Sequence, residues 1–213
     1  MKVLLILTAI FLSLNSYCQT DPRKGMIYDK ENKLYYQITN DTEYLDVKIY
    51  KDEYAMKARM LGGLRYFFNV EGIKDTVGVP IVQFPVYKRP VNFESLELFN
   101  LSGIPNGELS VYNEYGIFAE AKIEGRDSLG NYHKNKYVYQ SSIKIPLRYF
   151  KGLNSKNNLA IMIFMRGSRA IRIPDGRVSP IINSRGTNTS SEIDALSLDL
   201  DTWTHTWIDY ELK

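Results

Sequence analysis

Trp203, His205, Trp207 and Asp209 stand two residues apart in the C-terminal stretch TWTHTWIDYEL. If that stretch is a strand, these four share one face. Thr206, Ile208, Tyr210 and Leu212 then share the other, which is apolar enough to be core. Indoles four residues apart on a strand are about 13 Å from each other, at roughly 3.3 Å per residue. That is too wide to clamp one sugar ring, and it suits a platform along an oligosaccharide. A pyranose presents an apolar C–H face on which an aromatic ring can stack. The competing reading is that an indole merely covers the end of the fold, as large aromatics often do. Trp203, His205 and Trp207 are the candidate ligand-binding residues.

Other chemistries find little support. Nucleophilic catalysis needs a Ser or Cys beside a base oriented by a third group. The chain has two histidines, His133 and His205, one cysteine, Cys18, and no GxSxG elbow. His133 lies in the polar run NYHKNK, where a solvated side chain is expected. Two isolated histidines do not make a zinc site. A Met/His haem pair is conceivable, but Met162 and Met165 fall in an apolar run that reads as core, and Met56 and Met60 are spaced as core filler. Acids such as Glu94, Glu97, Glu114, Glu120 and Glu124 are available for glycoside hydrolysis, and no spacing selects a pair. Gly62-Gly63 follows a predicted helix instead of opening one, so no phosphate loop is present. No enzyme is expected.

Calcium is the one cofactor left open. Asn40, Asp41, Thr42 and Glu43 cluster oxygens in one turn, and Asp199 and Asp201 flank another. Calcium takes six to eight oxygens from side chains and carbonyls alike. Asn40, Asp41 and Glu43 are the candidate metal ligands, against the plainer reading of a solvated acidic turn.

The N-terminus speaks of export. Lys2 precedes an apolar run from Val3 to Leu14 and a short polar end, the layout of a secretory signal. The run is too short to span a bilayer, which needs roughly 20 residues. Cleavage after Cys18 would leave Ser16 and Cys18 as the small residues of the site. The rival is a lipidated Cys18, and the bulky Tyr17 before it speaks against that. Removing 18 of the 213 residues leaves 195, the length of one domain with its own core. Without disulfides, that core must carry the stability. The net charge of +3 falls to +2 when Lys2 is lost, which argues against a nucleic-acid partner. No second apolar segment is long enough to span a membrane. The oligomeric state is open.

Sixteen tyrosines and nine phenylalanines, with turn signals at short intervals, favour strands. In LYYQITNDTEYLDVKIYKDE (34–53), Leu34, Tyr36 and Ile38 alternate on one face. After an Asx-type turn at Asn40-Asp41-Thr42, Leu45, Val47 and Ile49 do the same. EYAMKARML (53–61) predicts a short helix. GLRYFFNV (63–70) and TVGVPIVQF (76–84) predict strands, and FESLELFN (93–100) a strand or one helical turn. Further strands are expected in YGIFAEAKIEG (115–125), KYVYQSSIKIPLRYF (136–150), NNLAIMIFMRG (157–167) and the last twelve residues. NNLAIMIFMRG is apolar on both faces, so both are expected to be covered. Residues 168–200 are rich in Ser, Asn, Gly, Pro and Arg and predict a long surface excursion. The expected architecture is all-β: a signal peptide (1–18), then one two-sheet antiparallel β-sandwich (19–213) with one short helix.

That strand order resembles the DOMON-like and family-9 carbohydrate-binding-module superfamily. The likeness rests on the strand–Asn-Asp–strand hairpin (Ile38, Asn40, Asp41, Leu45, Val47, Asp52), then GLRYFFNVEG and VGVPIVQFP. YNEYGIFAEAKIEG and YVYQSSIKIPL resemble the later paired strands of exported bacterial members of uncharacterised function. The resemblance implies a β-sandwich that binds sugar or haem. The family's sugar-clamping tryptophans and Met/His haem ligands have no matching positions here, so the site does not transfer with the fold. The expected function is an exported, non-catalytic module that binds a glycan. The alternative is a structural or interaction protein of the cell envelope with no small-molecule ligand.

Overall fold

The computed structural model describes residues 21–59, 63–86, 93–125, 137–152, 157–166 and 203–213. The predicted signal peptide, His133, Asp199, Asp201 and the 168–200 excursion lie outside the described residues.

Eleven strands are described: β1 (Ile27–Asp29), β2 (Leu34–Asn40), β3 (Tyr44–Lys51), β4 (Leu64–Asn69), β5 (Ile81–Gln83), β6 (Ser95–Phe99), β7 (Gly107–Ser110), β8 (Phe118–Gly125), β9 (Tyr137–Pro146), β10 (Asn158–Arg166) and β11 (Trp203–Glu211). They build two antiparallel sheets. One has five strands in the order β1-β2-β3-β9-β8, the other six in the order β11-β10-β4-β5-β6-β7. All described pairings are antiparallel, so the fold is an all-β sandwich.

The inward residues follow the predicted alternation. Leu34, Leu45, Val47, Ile49, Ala119, Ile143 and Ile145 from the first sheet bury against Leu64, Tyr66, Phe68, Val82, Leu96, Leu98, Ile161 and Ile163 from the second. Tyr36, Ile38, Ala121 and Ile123 pack against this core while partly exposed. Burying each large side chain stabilises the fold by about 1.5–3 kcal/mol.

Two local readings need correction. The helix expected over 53–61 is a 3-10 segment, Ala55–Arg59, with a second 3-10 turn at Leu147–Tyr149. Ala55 and Ala58, three residues apart, bury one side of this segment in the core. The strand expected over 76–84 is only Ile81–Gln83. Gly78 adopts φ +69°, and Val77 is 82% exposed on the turn ahead of it.

Polar contacts fasten the two sheets at one side. The Asp29 carboxylate is buried, and its Oδ1 accepts from the Glu31 and Asn32 backbone N–H groups and from the Thr206 hydroxyl of β11, the last at 2.7 Å. Asn32 Nδ2 donates to Asp29 Oδ2 and to the Ile163 carbonyl of β10. Beside them the fully buried Lys51 ammonium donates to the Asn32 and Lys33 carbonyls at 2.8 and 3.0 Å. A buried cation held by carbonyl dipoles stabilises the β1–β2 turn that carries Asp29.

Deeper in the core, the Tyr66, Tyr139 and Ser141 hydroxyls are buried without partners. Burial pushes both phenols well above their ordinary range, offset slightly by nearby Ser141. Ser141 is near enough to influence the phenols electrostatically but falls outside hydrogen-bond geometry.

Candidate functional site

β11 is the edge strand of the six-stranded sheet, and its alternation settles which residues face out. Ile208, Tyr210 and Leu212 pack on the core, and Thr206 reaches Asp29. Trp203, His205, Trp207 and Asp209 therefore face outward. Trp203 is 52% exposed and His205 is exposed, whereas Trp207 is half-buried.

Cross-strand register places these residues in two rows over the sheet. One row runs His205, Phe164, Arg65, Gln83, Glu97, Glu108 from β11 to β7. The next runs Trp207, Met162, Phe67, Ile81, Phe99 across five strands. The second row is apolar throughout, unusual for the outer face of an antiparallel sheet. The first is polar apart from Phe164. Trp203 stands at the corner.

Three rings link across three strands. The Trp203 and Phe164 centroids are 6.1 Å apart at 69°, and those of Phe164 and Phe67 are 6.3 Å apart at 81°. These edge-to-face contacts each contribute about 0.5–1.5 kcal/mol beyond burial. They hold the Trp203 ring from behind while leaving it open to solvent. Alongside, Arg65 Nε donates to Gln83 Oε1 and the Ser95 hydroxyl donates to Glu108 at 2.7 Å. At the far end Lys74 reaches Asp209 at 2.9 Å.

The ring contacts thus run across the strands, not along β11. Trp203 continues sideways into Phe164 and Phe67, both absent from the predicted site. Neighbouring strands lie about 4.8 Å apart, so aromatic neighbours across a sheet sit closer than alternate residues along one strand.

The Asn40-Asp41-Glu43 turn forms as an Asx turn. Asp41 Oδ1 accepts the Glu43 and Tyr44 backbone N–H groups, both at 2.7 Å, which hold its carboxyl below the usual range. Asn40 Nδ2 donates to the Asp41 and Lys213 carbonyls, and its Oδ1 accepts from the Tyr210 hydroxyl and the Lys213 N–H. The Glu43 carbonyl accepts from Leu147. These oxygens lock the C-terminus of β11 to the β2–β3 hairpin. Among the described residues no three His, Cys, Asp or Glu side chains gather as metal ligands, and none of the described helices is long and apolar enough to cross a membrane.

Comparison of the chain with family models, with curated proteins and with solved structures gives no match.

Proposed function

We propose that the protein is an exported, non-catalytic binding module that holds a glycan on the outer face of its six-stranded sheet, as a member of the DOMON-like and family-9 carbohydrate-binding-module group. The observation that carries this reading is the half-exposed Trp203, braced edge-on by Phe164. An aromatic face held rigid in solvent suits the C–H face of a sugar ring. Next to it, His205 and, one strand further on, Arg65 bring hydrogen-bonding groups for hydroxyls. Few rotamers freeze on binding, because the rings already pack on one another.

The test is a glycan array probed with the native chain and with Trp203→Ala and Phe164→Leu. Binding to a defined set of glycans, lost in Trp203→Ala and weakened in Phe164→Leu, supports the proposal. Equal binding by all three forms removes the platform.

A second reading rests on the apolar row Trp207, Met162, Phe67, Ile81 and Phe99. Four partly exposed apolar side chains in line around the buried Met162 also suit a protein partner, as in an envelope interaction protein with no small ligand. Glu substitution at Phe67 or Ile81 that abolishes co-purification of a partner, with no glycan bound on the array, would favour that reading.

A further inference from the structure

We propose a second binding site, for a short neutral saccharide, in a groove on the outer face of the five-stranded sheet. It lies on the opposite side of the sandwich from Trp203 and does not depend on the aromatic platform.

The groove has a volume of about 340 Å³, at the small end of ligand pockets and matched to roughly one or two pyranose rings. Its floor is regular strand. Lys48 pairs with Ser142 and Ser142 with Glu120 across β3, β9 and β8, and Tyr50, Gln140 and Lys122 form the next row. Side chains carried on three neighbouring strands keep their spacing better than side chains on loops.

The third wall is the segment before β1, through Pro22 and Met26. That segment is clamped. The Arg23 guanidinium lies 5.5 and 5.9 Å from the Tyr35 and Tyr50 ring centroids. It also pairs with Asp21 at 2.9 Å and Asp52 at 3.7 Å. Tyr35 meets Tyr28 at a tilt and Tyr50 edge to face, so the three rings brace one another. A cation held over aromatic faces and between two carboxylates fixes the wall without any ligand.

The lining chemistry selects the ligand class. Lys48 is paired with Asp46 at 3.9 Å and Lys122 with Glu124 at 2.9 Å. Each lysine charge is thus answered locally, so the groove has no strong field for an anion. Donors and acceptors remain. An ammonium has three N–H groups, Gln140 has both kinds of atom, and Glu120 accepts from the Ser142 hydroxyl at 3.1 Å with lone pairs to spare. A sugar hydroxyl donates and accepts at once, and a neutral polyol is the ligand whose groups alternate in this way. The Tyr50 ring is occupied by Arg23 and nine-tenths buried, so this site works through hydrogen bonds, not stacking.

The test titrates the full chain with glucose, galactose, mannose, xylose and their β-linked disaccharides, following backbone amides by two-dimensional NMR. Expected are saturating shifts at Lys48, Glu120, Gln140 and Ser142 with at least one neutral sugar. Gln140→Ala should weaken that binding roughly tenfold, the loss of about one hydrogen bond. The exposed Lys122→Met supplies a second variant should Gln140→Ala lose its dispersed spectrum. Trp203→Ala should leave the shifts intact, so the failure of one site does not carry the other. The proposal is overturned if no neutral sugar moves the groove amides, if galacturonate moves them and neutral sugars do not, or if Trp203→Ala abolishes the shifts.

Discussion

Replacing Thr206 with valine removes one hydroxyl and keeps the side-chain shape. That hydroxyl donates to Asp29 Oδ1 at 2.7 Å, and the carboxylate is 4% exposed. A hydrogen bond to a charged group contributes about 1.5–3 kcal/mol. Asp29 keeps three other donors: two backbone N–H groups and Asn32 Nδ2. The loss should therefore fall near the lower end, about 1.5–2 kcal/mol. For a chain of this size each kcal/mol moves the midpoint by roughly 2–4 °C, so Tm should drop by about 3–8 °C. The control lies two residues earlier. Thr204 Oγ1 is buried with no partner, so Thr204→Val removes an unsatisfied group and should be neutral or slightly stabilising. β-propensity is nearly the same for Thr and Val and does not separate the two changes. Both are read by urea unfolding at one pH, comparing midpoints at constant m. Equal effects at the two positions would refute the tether between Asp29 and β11, and with it the account of how β11 is held.

Four further outcomes are expected. Lys51→Met strips two carbonyls of their ammonium donor in a fully buried place and should cost about 2–4 kcal/mol in urea unfolding. Tyr66→Phe deletes a buried, unpartnered hydroxyl and should be neutral or stabilising by up to about 1 kcal/mol in the same assay. Gly63→Ala should destabilise by more than about 1 kcal/mol, because its φ is +45° and the new Cβ would meet the Pro85 carbonyl oxygen at 3.0 Å. Burial raises the Asp46 carboxyl above its usual value, against the pull of Lys48 and Lys144. The folded state then holds that proton longer than the unfolded chain, so this group's contribution falls as pH rises from the ordinary Asp range to the raised value. Asp46→Asn should flatten that slope in stability measured across pH 3 to 6, and an unchanged slope would assign it elsewhere.

The hairpin at 34–53 was legible because strict alternation of Leu34, Tyr36, Ile38 and Leu45, Val47, Ile49 admits one register with the apolar side inward. The β8, β9 and β11 segments were legible for the same reason. β1 carried no signal, since three residues of IYD are too few to show a period. The short helix forms at Ala55–Arg59 as a 3-10 segment, a type that residue propensity does not distinguish. The ring chain was hidden for another reason. From Leu159 to Met165 every residue is apolar, so parity cannot say that Phe164 faces outward. Its partners Trp203 and Phe67 come from β11 and β4, and only the register of β10 between them brings the three together. The groove is the same case, assembled from β3, β9 and β8. Sequence spacing identifies what one strand offers. It does not say which strands are neighbours.

Both tryptophans of the chain lie on the outer face of β11, so tryptophan emission reads that face alone. The most direct measurement is emission during titration with the glycan that the array selects. A blue shift that saturates, and is lost in Trp203→Ala at unchanged stability, is the predicted result. Binding detected by calorimetry with tryptophan emission unmoved would contradict the platform.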